Sequence, residues 1–212
     1  WLRAMKADLI AVSPGSEPVD STLPGSDLPH VHPATAALEG RVPIGERVVI
    51  IGGGGIGVEI APFLAKRWEI RPEVVEFLED YEAFTDNDRA IVDRKGHRVT
   101  LVSRQRRLGG SVGGSTRGVL AKEASIAGVE ILNNAVAQEI TTEGVVVLQG
   151  NEKTIVPADT VFLATGLKPN TRLHDELTAA KVAPRIELIG NPEHAMHAIE
   201  SVSQAFRLAL EV

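Results

Sequence analysis

RVVIIGGGGIGVEIAPFLA, residues 47–65, sets a β-branched run directly before four consecutive glycines and an apolar stretch at helical spacing. That order predicts a strand, a tight turn and a helix. Within it Gly52, Gly54 and Gly57 satisfy G-x-G-x-x-G, and the position between strand and helix gives the pattern its weight. The first glycine permits the turn, the second lets a pyrophosphate approach the backbone, and the third lets helix and strand pack closely. The helix N-terminus adds unpaired amides and the positive end of a dipole. Gly52, Gly53, Gly54, Gly55, Ile56 and Gly57 are therefore candidate contacts for a dinucleotide; the alternative is a glycine-rich turn that only packs.

The next strand towards the C-terminus is RVTLVS, residues 98–103, followed by the loop RQRRLGGSVGG. A NAD site usually offers a carboxylate at the end of this strand, whereas an NADP site offers Arg for the ribose phosphate. Here Ser103, Arg104, Arg106 and Arg107 stand in that place, so the charge logic favours NADPH, with Ser103, Arg104 and Arg107 as candidate contacts. A solvated basic face is the alternative reading. Gly57 and Ser103 are 46 positions apart, against a usual spacing of about 20, because residues 67–97 intervene. That segment is charged and carries one amphipathic stretch, PEVVEFLEDYEAF, which predicts a helical insertion.

Beyond the loop, a helix capped by Ser115 or Thr116 is expected to end near Gly128. VEIL, AVAQEIT, GVVVLQ and KTIVP, between residues 129 and 157, predict short strands. ADTVFLATG predicts a buried strand, HDELTAAKV a short helix, RIELIG a strand, and EHAMHAIESVSQAFRLAL a closing helix with its apolar residues on one side. On the N-terminal side, ADLIAV at 7–12 predicts a strand, and 16–46, rich in Pro, Gly and Ser, a connection in which only PATAALEG looks helical.

Among 212 residues, 22 Lys and Arg face 28 Asp and Glu, a net charge of −6, which argues against a nucleic-acid partner. Hydrophobic residues are 43% and aromatic ones 4%, so the core is expected to be Val, Ile, Leu and Ala. There is no Cys, which removes thiolate metal sites, Cys nucleophiles and dithiol redox chemistry from this chain. Any redox work needs a bound cofactor. Apolar runs such as VVII at 48–51 and VFLA at 161–164 fall short of the roughly 20 residues a membrane helix needs. With Trp rather than Met at its start and no signal-like segment, the chain is expected to be a piece of a cytoplasmic protein.

Other signals carry less. GGSVG at 109–113 fits G-x-S-x-G around Ser111, but a charged loop precedes it where a nucleophile elbow needs a strand. His30 with His32, and His194 with His197, have spacings a metal could use but no third ligand nearby. Glu59 complements the helix dipole or faces a nicotinamide. His97, His174, Glu79, Asp80 and Glu82 look like solvated faces.

Taken in order, RVVIIGGGGIGVEIAPFLA, VTLVSRQRRLGGSVGGSTRGVL, GVEIL, DTVFLATGLKPNTRL and ELIGNPEHAMHAIESVSQAFRLAL resemble the C-terminal half of NADH:flavin oxidoreductases of the 2,4-dienoyl-CoA reductase and trimethylamine dehydrogenase type. The resemblance implies an α/β fold: a Rossmann-like, three-layer, mostly parallel NAD(P)-binding domain at 42–157, inserted in a partial FAD/ADP-type domain formed by 1–41 and 158–212. It implies that the six residues from Gly52 to Gly57 hold the pyrophosphate of NADP or NAD, and that Thr165 and Gly166 line the crevice beside it. Gly190 and Asn191 stand where the family's closing I-G-D motif meets the flavin of FAD, with an amide in place of the carboxylate. The family's FMN-bearing barrel, its iron–sulfur cysteines and its first FAD fingerprint have no counterpart here, so those parts, or a partner subunit, are implied as partners. The function implied is hydride delivery from NADPH to a flavin, serving reduction of an enoyl-CoA-like substrate, with no catalytic side chain named. The alternative is a structural ADP-binding module. If the missing half normally pairs with residues 7–12 and 159–164, apolar surface is expected there.

Overall fold

The computed structural model describes residues 1–66, 72–83, 85, 96–110, 112–190 and 198–211. They divide into two compact units, one formed by Asp20–Thr165 and the other by Trp1–Val19 with Gly166–Val212.

The larger unit is built on a five-stranded parallel sheet. Its strands are β3 (Val31–Pro33), β4 (Arg47–Ile51), β5 (Arg98–Val102), β6 (Glu130–Leu132) and β10 (Thr160–Leu163), in the spatial order β3-β10-β4-β5-β6. Alternation along β4 explains the layers. Val48 and Ile50 face helices α3 (Gly55–Ala65) and α5 (Gly114–Ile126), where they join Val58, Ile60, Leu64 and Ala124 in one core. Val49 and Ile51 point to the opposite face, against Ile140, Val145 and Val147. Those residues come from an antiparallel sheet of β7 (Ala135–Ile140), β8 (Gly144–Gln149) and β9 (Glu152–Pro157). Val48, Val49, Ile50 and Ile51 are all buried, which is worth about 1.5–3 kcal/mol per large apolar residue. The helix–sheet–sheet stack is the expected three-layer α/β architecture, and the core is aliphatic except for Phe162.

Two expectations are corrected by the pairing. Segment 16–46 is more than a connection, since β3 lies within it and pairs with β10 from Val31↔Val161 to Pro33↔Leu163. An edge position tolerates Pro33, which cannot donate to the ladder. Helix α2 (Thr35–Glu39) follows it. In consequence β10 is the strand between β3 and β4, with Thr160, Val161 and Phe162 buried and Leu163 half-buried, so the exposed apolar face expected at 159–164 is largely covered. The boundaries between units fall at 19/20 and 165/166, where the sequence reading set them at 41/42 and 157/158, because both edges of that span feed strands to the central sheet. Helix α5 is also capped differently: Gly113 is its N-cap with no side-chain bond. The insertion contributes α4 (Pro72–Asp80); residues 67–71, 84 and 86–95 of it lie outside the described residues.

The smaller unit holds β1 (Leu9–Val12), β2 (Ser16–Pro18), β11 (Leu167–Pro169) and β12 (Arg185–Leu188), with helices α1 (Leu2–Met5), α6 (Arg172–Ala179) and α7 (Ala198–Leu210). β1 and β12 form a two-stranded parallel sheet, and β2 and β11 an antiparallel pair. On α7 the apolar side is exposed at Ile199, Val202, Phe206 and Leu210. Among the described residues no helix is long and apolar enough to cross a membrane.

At the start of β4 the Asp159 carboxylate accepts the Arg47 backbone N–H at 2.8 Å and pairs with the Arg47 guanidinium. These hydrogen bonds hold its pKa down at about 2. A depressed carboxyl stabilises the fold above its ordinary pKa of about 4, and that contribution disappears as pH falls towards the folded value. Asp159→Asn should therefore lower stability at neutral pH and flatten the loss between about pH 4 and 2. Urea midpoints across that range check it; an acid limb unchanged in steepness would contradict it. His97, read as a solvated residue, instead places Nδ1 2.8 Å from the Gly45 carbonyl in the same corner.

Candidate functional site

The carboxyl ends of β4, β5 and β10 lie side by side, at the point where the chain leaves β4 for β5 in one direction and later returns as β10 in the other. Open α/β sheets bind ligands in such a crevice. Ile51 pairs with Val102, so β5 is the neighbour of β4 in space whatever the length of the insertion. That restores the adjacency the 46-position spacing obscured.

The glycines form a cradle that side chains would fill. Gly52 has φ +125°, and a Cβ on it would come 2.2 Å from the Ala164 carbonyl oxygen. A Cβ on Gly57 would lie 1.9 Å from the Gly52 carbonyl oxygen. Gly52 donates its N–H to Val102 at 2.9 Å, and Ala164 donates to Ile51 at 2.8 Å, which ties the three strand ends together. Gly54 is the N-cap of α3, in extended conformation and without a side-chain cap. Gly54, Gly55 and Ile56 are half-buried, so the backbone of the turn remains reachable. These residues fit a pyrophosphate. Glu59 is exposed on the same helix.

Gly53 has a second role that the fingerprint did not suggest. Its Cβ would meet the Ser103 hydroxyl at 2.2 Å and Leu108 Cδ2 at 3.0 Å, and its carbonyl accepts the Gly109 N–H at 2.8 Å. The loop after β5 thus folds onto the glycine turn. Ser103, a candidate cofactor contact, is 1% exposed; its hydroxyl accepts the Gln105 N–H at 3.1 Å. It shapes the loop from inside. Arg104, Arg106 and Arg107 are exposed on the outside of that loop. None of the three forms an ion pair among the described residues, so three guanidiniums stand at the strand end without a carboxylate to neutralise them. Gly109, with φ +66°, was missed by sequence reading; the repeated glycines of RRLGGSVGG were its signal.

Thr165 is exposed and ends the larger unit, immediately after the Ala164 contact with Gly52. Gly166 begins the returning part of the smaller unit with φ +132° and accepts the Val19 N–H at 3.1 Å. Gly190 also belongs to the smaller unit; its N–H donates to Gln204 Oε1 at 2.8 Å, while Gln204 Nε2 donates to the Leu188 carbonyl at 3.1 Å. A side-chain amide of α7 thus already satisfies the backbone group expected beside a flavin. Asn191, Ser111, His194 and His197 lie outside the described residues.

Comparison with known proteins agrees with this geometry. The chain is 27% identical over 207 residues to a metal reductase of Desulforamulus reducens, spanning 97% of this chain and 31% of that protein. It is 23% identical over 214 residues to a cinnamate reductase of Clostridium sporogenes, spanning 100% of this chain and 27% of that one. The structure of a 2-naphthoyl-CoA reductase in complex with 2-naphthoyl-CoA superposes with a TM-score of 0.80 at 19% identity, covering 100% of this chain and 28% of that one. The chain therefore spans less than a third of the length of these relatives. Residues 2–188 match the model of one family. With its FAD/NAD-binding Rossmann-like fold and its glycine cradle, the chain belongs to the pyridine nucleotide-disulphide oxidoreductase family, although its own 212 residues contain no Cys.

Proposed function

We propose that this chain is the nicotinamide-nucleotide-binding portion of a cytoplasmic flavin-dependent reductase, with NADPH as the preferred donor. On this reading the larger unit binds the dinucleotide and the smaller unit is part of an FAD-type domain. The observation that carries the reading is the unneutralised Arg104, Arg106 and Arg107 at the end of β5, next to the Gly52–Gly57 cradle. A planar guanidinium pairs two-pronged with a phosphate monoester, and a ribose hydroxyl offers no such partner. When bound, the nicotinamide supplies a hydride to the flavin, a transfer that needs no proton from a side chain. The chain's own part is to hold and orient the nucleotide. The wider protein would carry the FMN/iron–sulfur module that takes up these electrons and would act on an enoyl-CoA-like or similar small substrate; relatives named for cinnamate and 2-naphthoyl-CoA support that substrate class.

A visible spectrum followed by calorimetric titration with NADPH, NADH and ADP tests the proposal. Tight binding of NADPH and weaker binding of NADH is the expected result. ADP binding without either nicotinamide nucleotide would instead favour a structural nucleotide module. The engagement of the Gly190 amide by Gln204 speaks for that second reading, since it takes up a group a flavin would use.

A further inference from the structure

Helix α4 has no part in nucleotide binding as read above. Residues 72–83 hold five carboxylates and no Lys or Arg. Glu73, Glu76 and Asp80 are exposed at i, i+3 and i+7, one stripe of the helix, and form no ion pair among the described residues. Beside them Val74, Phe77 and Tyr81, at the same spacing, expose an apolar stripe, with the two ring centroids 4.6 Å apart.

Local physics disfavours such a helix. Nine residues are too few to hold helical form alone in water, and carboxylates three and four apart repel one another. Glu79 and Asp80 also sit in a last turn without a basic residue, where the helix dipole favours a cation. A surface that offers cations and some apolar area along α4 relieves all three. This chain carries one. The loop after β5 presents Arg104, Arg106 and Arg107, with half-buried Val112 and exposed Val119 following it. The chain passes through α4 before the amino end of β5 and through this loop after its carboxyl end, and within one copy neither set of charges neutralises the other.

We propose that α4 of one copy docks on the Arg104–Arg107 loop of a second copy. The carboxylates of Glu76 and Asp80 accept from the guanidiniums, and the stripe from Val74 to Tyr81 covers Val112 and Val119. The two patches differ, so the contact is heterologous and copies join head to tail. It occupies the loop assigned above to the nucleotide, and NADPH and the neighbouring copy therefore exclude each other. Only that exclusion rests on the NADPH reading.

Sedimentation equilibrium of the chain is the test. The average mass should exceed the 22.6 kDa of one copy at about 0.01 M salt, where charges act over about 30 Å, and fall to it at about 1 M, where they act over about 3 Å. Association through the exposed apolar side of α7 would not weaken with salt. Phe77→Ser with Asp80→Asn removes the helix patch, and Arg104→Ala with Arg107→Ala removes the loop patch. Each double variant alone should be monomeric, and an equimolar mixture should form a one-to-one dimer, since the intact helix of one meets the intact loop of the other. Glu76→Gln with Asp80→Asn, which alters no apolar side chain, repeats the comparison if the first helix variant does not fold. NADPH added to the unaltered chain should return it to single copies. A chain that is monomeric at low salt, variants that still associate alone, or a mixture that stays monomeric would each overturn the docking. Association and complementation without any binding of NADPH would uphold the docking and overturn the nucleotide reading alone.

Discussion

Gly57→Ala should destabilise the larger unit by about 3 kcal/mol and abolish nucleotide binding. The new methyl would lie 1.9 Å from the Gly52 carbonyl oxygen and 3.3 Å from Ala164 Cβ. Neither neighbour is the end of a flexible side chain that could swing aside. Helix α3 must lift from the end of β4, and the amides of its first turn then leave the place where a pyrophosphate would meet them. Gly118 is the natural control. It lies within α5 with nothing inside 4 Å of its missing Cβ, so Gly118→Ala should raise stability by about 0.5–1 kcal/mol. Urea unfolding of the two variants reads both effects. Similar midpoints would mean that the close contact at Gly57 relaxes freely, and the argument for the cradle would fall.

The second large effect belongs to the basic loop. Replacing Arg104 and Arg107 together by Ala should weaken NADPH about 100-fold, since each removes a charge-assisted hydrogen bond of about 1.5 kcal/mol or more. NADH should change by less than about threefold, because it lacks the group these residues would meet. Both side chains are exposed, so the NADPH effect should shrink as salt rises past about 0.15 M, where the screening length is about 8 Å. Titrations at two ionic strengths check both statements. Equal losses for the two nucleotides would assign the arginines to a general basic face instead.

Elements whose residues speak for themselves were legible in the sequence. RVVII and VTLV are β-branched runs long enough to mark strands, and the glycine spacing fell between one of them and a helix. The antiparallel strands of 135–157 were legible for the same reason, with turn residues between them. Val31–Pro33 was not. Three residues ending in Pro become a strand only because β10 lies beside them, and no local pattern announces a partner 130 positions away. The unit boundaries moved with that strand. The cap of α5 was misplaced for a related reason: Ser115 and Thr116 are good capping residues, but the loop geometry begins the helix at Gly114. At the site, the glycines and arginines were readable as types. The contact between Gly109 and Gly53 was not, since it depends on how a loop folds back over a strand end. Nor was the burial of Ser103, which stands at the right position in the chain yet turns its hydroxyl inward.

The pairing of strands also dictates an order of assembly. β10 is the middle strand between β3 and β4, so the central sheet keeps a gap until residues 160–163 have left the ribosome. β1 waits longer still, because its partner β12 begins at Arg185. The meander β7–β9 closes through neighbouring residues and can form while that gap is open, giving the late strand a ready surface to settle on. The first strand made in this chain is thus among the last to find its partner, and its apolar residues must be kept from other chains throughout the interval.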